Sequence, residues 1–147
     1  MIRNVLVANR GEIARRVFAT CRRLGIGTVA VYTEPDAGAP YVAEADARVR
    51  LQGNNGYLDI GQLVAAARSA GADAVHPGYG FLSENPDFAV AVIDAGLAWI
   101  GPPVEAVRAM GSKIEAKKMM AAASVPVLAE LAPDTVTAEQ LPVLVKA

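Results

Sequence analysis

The sequence predicts an α/β protein built on a Rossmann-like, doubly wound parallel sheet. Three observations carry that expectation. Short, continuous apolar runs such as Val5-Leu6-Val7-Ala8 and Val29-Ala30-Val31 have the length and composition of strands buried on both faces. Each is followed by a segment whose apolar residues recur with a helical period. Glycine then closes the helical segments at Gly25, Gly71 and Gly96, where a left-handed residue ends a helix. Strands alternating with helices at this spacing give a parallel sheet with right-handed crossovers.

Taken in order, Asn4–Ala8 is the first strand and 11–24 the first helix. Ile13, Ala14, Val17, Phe18, Cys21 and Leu24 share one helical face, and Arg15, Arg16, Arg22 and Arg23 share another. Thr28–Tyr32 is a second strand and Val49–Leu51 a weak third. Asp59 caps a helix that buries Ile60, Leu63, Val64 and Ala67. Asp73–Val75 is the next strand. Asn85 caps a helix over 86–95, with Pro86 at its first position and Phe88, Ala89, Val92 and Ile93 turned inward. Ala98–Ile100 is a further strand.

After Gly101 the pattern changes. Pro102-Pro103 starts a short helix to about Met110, Gly111 breaks it, and a second helix starts at Ser112, where Ser112 and Glu115 form a capping box. Residues 124–141 have the composition of a linker, and Pro142–Lys146 reads as a strand. The expected divisions are 1–110, 111–141 and 142–147. If unpaired, a strand at 142–146 would leave backbone groups unsatisfied. Residues 130–147 are therefore expected to be mobile or to pair with a neighbouring sheet edge.

Composition excludes several function classes. At 147 residues and 53% apolar, the chain suits one domain with a tail, burying roughly two-thirds of its unfolded surface. A formal charge of −1 with no basic block argues against a nucleic-acid partner held by phosphate neutralisation. No apolar run approaches the roughly 20 residues of a membrane helix. The N-terminus enters a strand almost at once, leaving no room for a signal peptide. The single cysteine, Cys21, reads as a small buried hydrophobe. It cannot form an internal disulfide, so a reducing, cytoplasmic compartment is expected. One histidine and one cysteine make no zinc site.

The most specialised segment is His76-Pro77-Gly78-Tyr79-Gly80-Phe81-Leu82-Ser83-Glu84-Asn85. Pro77 fixes a torsion and has no N–H, and Gly78 and Gly80 open conformations closed to other residues. Tyr79, between the glycines, is expected to project from an exposed bend. A glycine-rich loop between a strand and a helix N-terminus is where open α/β sheets bind ligands. The loop's histidine is expected to serve structure, bonding a loop carbonyl, more than general-base chemistry.

The first strand ends in Asn9-Arg10-Gly11-Glu12, where a dinucleotide-binding domain would carry Gly-x-Gly-x-x-Gly. That signature is absent, and Glu12 would oppose a phosphate, so NAD and FAD are set aside. Lys113 lies in the first turn of a capped helix, a setting that favours an anion. Spacing alone leaves a solvated surface lysine equally open. Lys146 ends an apolar strand and reads locally as a strand-end lysine, with a ligand phosphate as the alternative. The first-helix arginines read as a solvated face, with a subunit interface as the alternative. Lys117-Lys118-Met119-Met120 lies inside a helix and lacks the hairpin setting of a biotin attachment lysine.

Five stretches together resemble the N-terminal part of biotin carboxylase. They are Val5 to Ala14, Tyr57-Leu58-Asp59, His76 to Asn85, Ile100 to Pro103 with Met110 to Lys113, and Pro142 to Lys146. The resemblance covers essentially the whole chain and is greatest to the α-subunit of a bacterial acetyl- or propionyl-CoA carboxylase. It implies an ATP-grasp ligase in which ATP activates bicarbonate as carboxyphosphate and the carboxyl group passes to a biotin ureido nitrogen on a carrier. By that match residues 1–110 form the pre-ATP-grasp domain, 111–141 a linker helix and connection, and 142–147 the first strand of the lid. Lys113 and Lys146 become ATP-contacting lysines, and Tyr79 with the backbone at Gly80 lies near biotin. Arg16 lies near a homodimer interface, where Ala19 replaces a residue that is often basic.

The implied partners are a biotin carboxyl carrier domain, a carboxyltransferase subunit and bicarbonate. The lid glycines, the carboxylates for Mg²⁺ and the residues that handle bicarbonate are absent from these 147 residues, so the fragment alone is expected to be inactive. The alternatives are the N-terminal domain of another ATP-grasp ligase and a non-catalytic module that dimerises through its arginine face. The length and composition of the His76–Asn85 run favour biotin carboxylase.

Overall fold

The computed structural model describes residues 1–53, 55–111 and 113–128. The chain divides into two units, Met1–Ser112 and Lys113–Ala147. The first holds five parallel strands, β1 (Asn4–Val7), β2 (Gly27–Tyr32), β3 (Ala47–Arg50), β4 (Ala74–His76) and β5 (Ala98–Trp99), in the order β3-β2-β1-β4-β5. Its helices are α1 (Gly11–Arg23), α2 (Pro40–Glu44), α3 (Ile60–Ser69), α4 (Pro86–Asp94) and α5 (Val104–Met110). The described part of the second unit is α6 (Lys113–Ala122) and the stretch to Leu128. No described helix is long and apolar enough to cross a membrane.

The continuous apolar strands have the double burial that the sequence predicts. In β1, Val5 and Val7 join a core with Ala14, Phe18 and Cys21 of α1 and Tyr41 and Val42 of α2. Leu6 and Ala8 join the opposite core, with Leu63, Ala66 and Ala67 of α3 and Phe88 and Val92 of α4. Alternation along one strand therefore feeds two cores. Burying a side chain such as Phe18 fully stabilises the fold by about 1.5–3 kcal/mol before entropy is counted. The Cys21 thiol is buried in the first core, and burial pushes its pKa up.

Two of the three predicted caps lie in the described residues, and both form. The Asp59 carboxylate accepts from the Gln62 N–H at 2.9 Å, and Asn85 Oδ1 accepts from the Asp87 N–H at 2.9 Å. Strand ends differ for identifiable reasons. The Asp73 carboxylate turns back to accept from the N–H groups of Arg3 and Asn4 at 3.0–3.1 Å, so β4 begins one residue later. The third strand lies over Ala47–Arg50, not 49–51. Ala47 and Val49 pack inward while Arg48 and Arg50 face solvent, and that edge alternation hides a strand from a search for apolar runs. Leu51 is buried just beyond it.

Two residues expected inside are exposed. Leu24 lies one residue past the end of α1 and is 68% exposed, and Ile93 lies beside the Phe88–Val92 seam of α4 and is 49% exposed. The arginines of α1 also divide. Arg15 pairs with Glu44 at 2.8 Å and Arg22 donates to the Glu44 carbonyl at 3.1 Å, tying α1 to α2. Arg16 pairs with Glu12 at 3.7 Å within the helix. The Ser112 cap, Lys146, the strand expected at 142–146 and most of the linker lie outside the described residues.

Candidate active-site loop

The sheet reverses direction of growth between β1 and β4, its topological switch point. In open α/β sheets the ligand crevice opens there, outside the carboxyl ends of the strands. The segment after β1 (Ala8–Arg10) and the segment after β4 (Pro77–Asn85) flank it. Here the crevice is filled by the Asn9 side chain, which is only 3% exposed. Asn9 Nδ2 donates to the carbonyl of Pro77 at 2.9 Å and to that of Tyr79 at 2.8 Å, and Oδ1 accepts from the Arg10 N–H at 2.9 Å. Both donors and one of the two acceptor positions of the carboxamide are used.

Gly78 fits against that carboxamide. A Cβ at position 78 would lie 2.6 Å from Asn9 Nδ2, and the backbone there has φ +69°. Space and conformation both require glycine. His76 adds a second clip. Its Nδ1 accepts from the Gly78 N–H at 2.9 Å, so the ring is a neutral acceptor for an amide. The expected bond to a carbonyl is not the one formed. Burial holds the imidazole pKa below its ordinary 6.5.

Tyr79 projects from the bend as predicted and is 56% exposed. Its hydroxyl donates to Glu12, which raises the phenol pKa. Glu12, read from sequence only as an obstacle to phosphate, thus tethers Tyr79 and pairs with Arg16. The remaining predicted positions do not join this group. Lys113 opens α6 in the second unit, and Lys146 lies outside the described residues. Among the described residues no three His, Cys, Asp or Glu side chains converge as a metal site.

The far end of the loop is anchored by a cluster that the sequence reading missed. Phe81 has φ +45°, an uncommon conformation for a bulky residue. Its ring stacks on Tyr57 with centroids 5.1 Å apart, and the Arg10 guanidinium lies 5.9 Å from the centroid of each ring. Arg10 pairs with Asp36 at 3.2 Å, and the Tyr57 hydroxyl donates to the same carboxylate at 2.6 Å. Tyr41 places its hydroxyl 2.9 Å from that of Tyr57 and donates to the Val31 carbonyl at 3.1 Å. Burial, above all, pushes both phenol pKa values up. The available signals were Arg10 directly after a buried strand and Tyr57 in a Gly-Tyr-Leu-Asp turn. Neither carries a periodicity.

A groove of about 1000 Å³ lies on the α1 side of His76, where apolar residues such as Ile2, Val17 and Ile100 meet Arg16, Arg22 and Arg23. The buried polar contacts converge instead on the loop, which is therefore the candidate site.

The neutral His76 gives the loop a pH dependence of definite sign. The unfolded imidazole binds a proton more readily than the folded one, so the contribution is complete above about pH 6.5 and is lost as pH falls below it. Because the chain has one histidine, its imidazole resonance titrates without overlap. We expect a midpoint below the ordinary value. The unfolding temperature should fall between about pH 7 and about pH 5, by less in His76→Gln. A midpoint at or above the ordinary value would contradict the buried-acceptor role.

The comparisons with known proteins agree with this fold. Residues 1–107 match the family model described as the biotin carboxylase N-terminal domain. The chain is 52% identical over 130 residues to the biotin-dependent acyl-coenzyme A carboxylase alpha3 subunit of Mycobacterium leprae, covering 86% of this chain and 22% of that protein. It is 52% identical over 132 residues to the mitochondrial pyruvate carboxylase of Rattus norvegicus, covering 86% of this chain and 11% of that one. The biotin carboxylase domain of the Hydrogenobacter thermophilus 2-oxoglutarate carboxylase, solved as a dimer with MgADP, ADP and bicarbonate, superposes with a TM-score of 0.82. Its identity is 44%, over 87% of this chain and 29% of that one. The chain thus spans about a fifth or less of the curated relatives named here. It belongs to the biotin carboxylase N-terminal domain family.

Proposed function

We propose that this chain is the N-terminal part of an enzyme that uses ATP and bicarbonate to carboxylate biotin on a carrier domain. The observation that carries the proposal is the pinned His76–Asn85 loop at the switch point, in a chain whose first 107 residues match this family. Asn9 occupies the crevice where a dinucleotide would lie. A ligand at this edge therefore rests on the loop and not between β1 and β4. Tyr79 and the backbone at Gly80 form the wall near biotin.

The parent protein is proposed to be an ATP-grasp ligase. Lys113 and Lys146 are proposed to contact ATP, whose phosphates need cations beyond those the loop offers. Mg²⁺ would be held by carboxylates elsewhere in the enzyme, since the described residues bring no such set together. When bound, the nucleotide activates bicarbonate. The residues of this chain hold and orient, and no proton transfer is assigned to them. A carboxyltransferase would then pass the carboxyl group from biotin to the final acceptor. Arg16, exposed on α1, is proposed to lie at a homodimer interface.

Two measurements test these readings. The full-length enzyme should release ADP from ATP in the presence of bicarbonate and biotin, whereas purified residues 1–147 should release none above background. Turnover by residues 1–147 would refute the division of labour, and inactivity of the full-length enzyme would refute the function. For the interface, sedimentation of Arg16→Glu should show the dimer mass of the full-length protein falling toward that of a monomer. An unchanged mass would remove Arg16 from the contact.

A further inference from the structure

We propose that Asn9 is the positioning residue of the biotin end of the site, acting through the backbone of residues 77–80. The proposal rests on the reading of this loop as that end. Asn9 has no contact with solvent that would let it meet a ligand itself. Its two N–H donors are spent on the carbonyls of Pro77 and Tyr79, two residues apart on the same bend. Gly78 between them sits close enough that no side chain fits. Carboxamide and loop are therefore shaped to each other, and neither can move alone.

The consequence for the ligand follows from peptide geometry. The C=O and N–H of a trans peptide point in opposite directions. With the Tyr79 carbonyl drawn inward onto Asn9, the N–H of Gly80 in the same peptide faces away from the protein. Among the described residues the N–H groups of Tyr79 and Gly80 have no hydrogen-bond partner. Asn9 thus fixes the direction of an outward donor and the base of the Tyr79 side chain. It also stops the switch-point crevice, so that the ligand must meet the loop from outside.

The test uses the full-length enzyme with free biotin as the probe, and three variants. Asn9→Ala removes the bracket. Asn9→Asp keeps the shape and the Oδ1 acceptor but loses both donors. Gly78→Ala pushes on the bracket from the loop side. In a variant that unfolds cooperatively, we expect KM for biotin to rise about tenfold, the scale of one lost hydrogen bond to two, with a change of less than about twofold in KM for ATP. An unchanged KM for biotin in a folded variant would overturn the proposal. So would an equal rise in both KM values, or failure of all three variants to fold, which would make Asn9 a residue of stability alone. Wild-type enzyme without biotin-dependent ADP release would instead overturn the functional reading, and the role of Asn9 with it.

Discussion

One buried carboxamide holds the functional edge of this domain together. Asn9 leaves the end of β1, enters the gap beside β4 and takes two carbonyls of the following loop. Leaving such carbonyls buried without donors would cost about 1–3 kcal/mol each, so the loop conformation and the side chain stand or fall together. The glycine at 78 follows from that contact, as does the direction in which Tyr79 leaves the bend. The His76 clip on the Gly78 N–H and the Phe81 stack on Tyr57 secure the two ends of the same segment. A loop with three left-handed residues, Gly78, Gly80 and Phe81, keeps one shape because it is over-determined by its surroundings.

Under the proposed function, that rigidity suits a domain that supplies one wall of the site. The carbonyls of Pro77 and Tyr79 turn into the protein and are satisfied there. The exposed side chains include the Tyr79 phenol, tethered through Glu12, and the Phe81 ring, and among the described residues the N–H groups of Tyr79 and Gly80 have no partner. The Arg10–Asp36–Tyr57 cluster extends the support to the segments after β2 and β3, so four connections at one end of the sheet brace a single bend. The same interactions explain why a Rossmann-like order carries no dinucleotide signature. The place where glycines would admit a pyrophosphate is occupied by a side chain.

Much of the fold was legible because the determinants are local. Doubly buried strands show as unbroken apolar runs, and Asp59, Asn85 and Pro86 mark helix starts by chemistry that works within three residues. What was missed or displaced depends on contacts distant in sequence. The edge strand β3 was read at 49–51 instead of Ala47–Arg50 because it alternates with arginine and looks weak on its own. The five-residue α2 is too short for a period, although Pro40 before Tyr41 and Val42 marks it in retrospect. At the site, the loop and the exposure of Tyr79 were readable from glycine and proline spacing. The bracket was not, because Asn9 and Pro77 lie 68 residues apart and only the register of β1 against β4 brings them together. The resemblance to biotin carboxylase suggested what the segment meets without revealing what holds it.

The most direct measurement of that bracket is the side-chain amide of Asn9 in a protein labelled at asparagine nitrogen and at carbonyl carbon. Two inequivalent protons that exchange slowly with solvent are expected, each coupled through a hydrogen bond to a carbonyl carbon, one of Pro77 and the other of Tyr79. A pair of protons exchanging at the rate of a free primary amide, with no such coupling, would contradict the constraint on which the rest of the site depends.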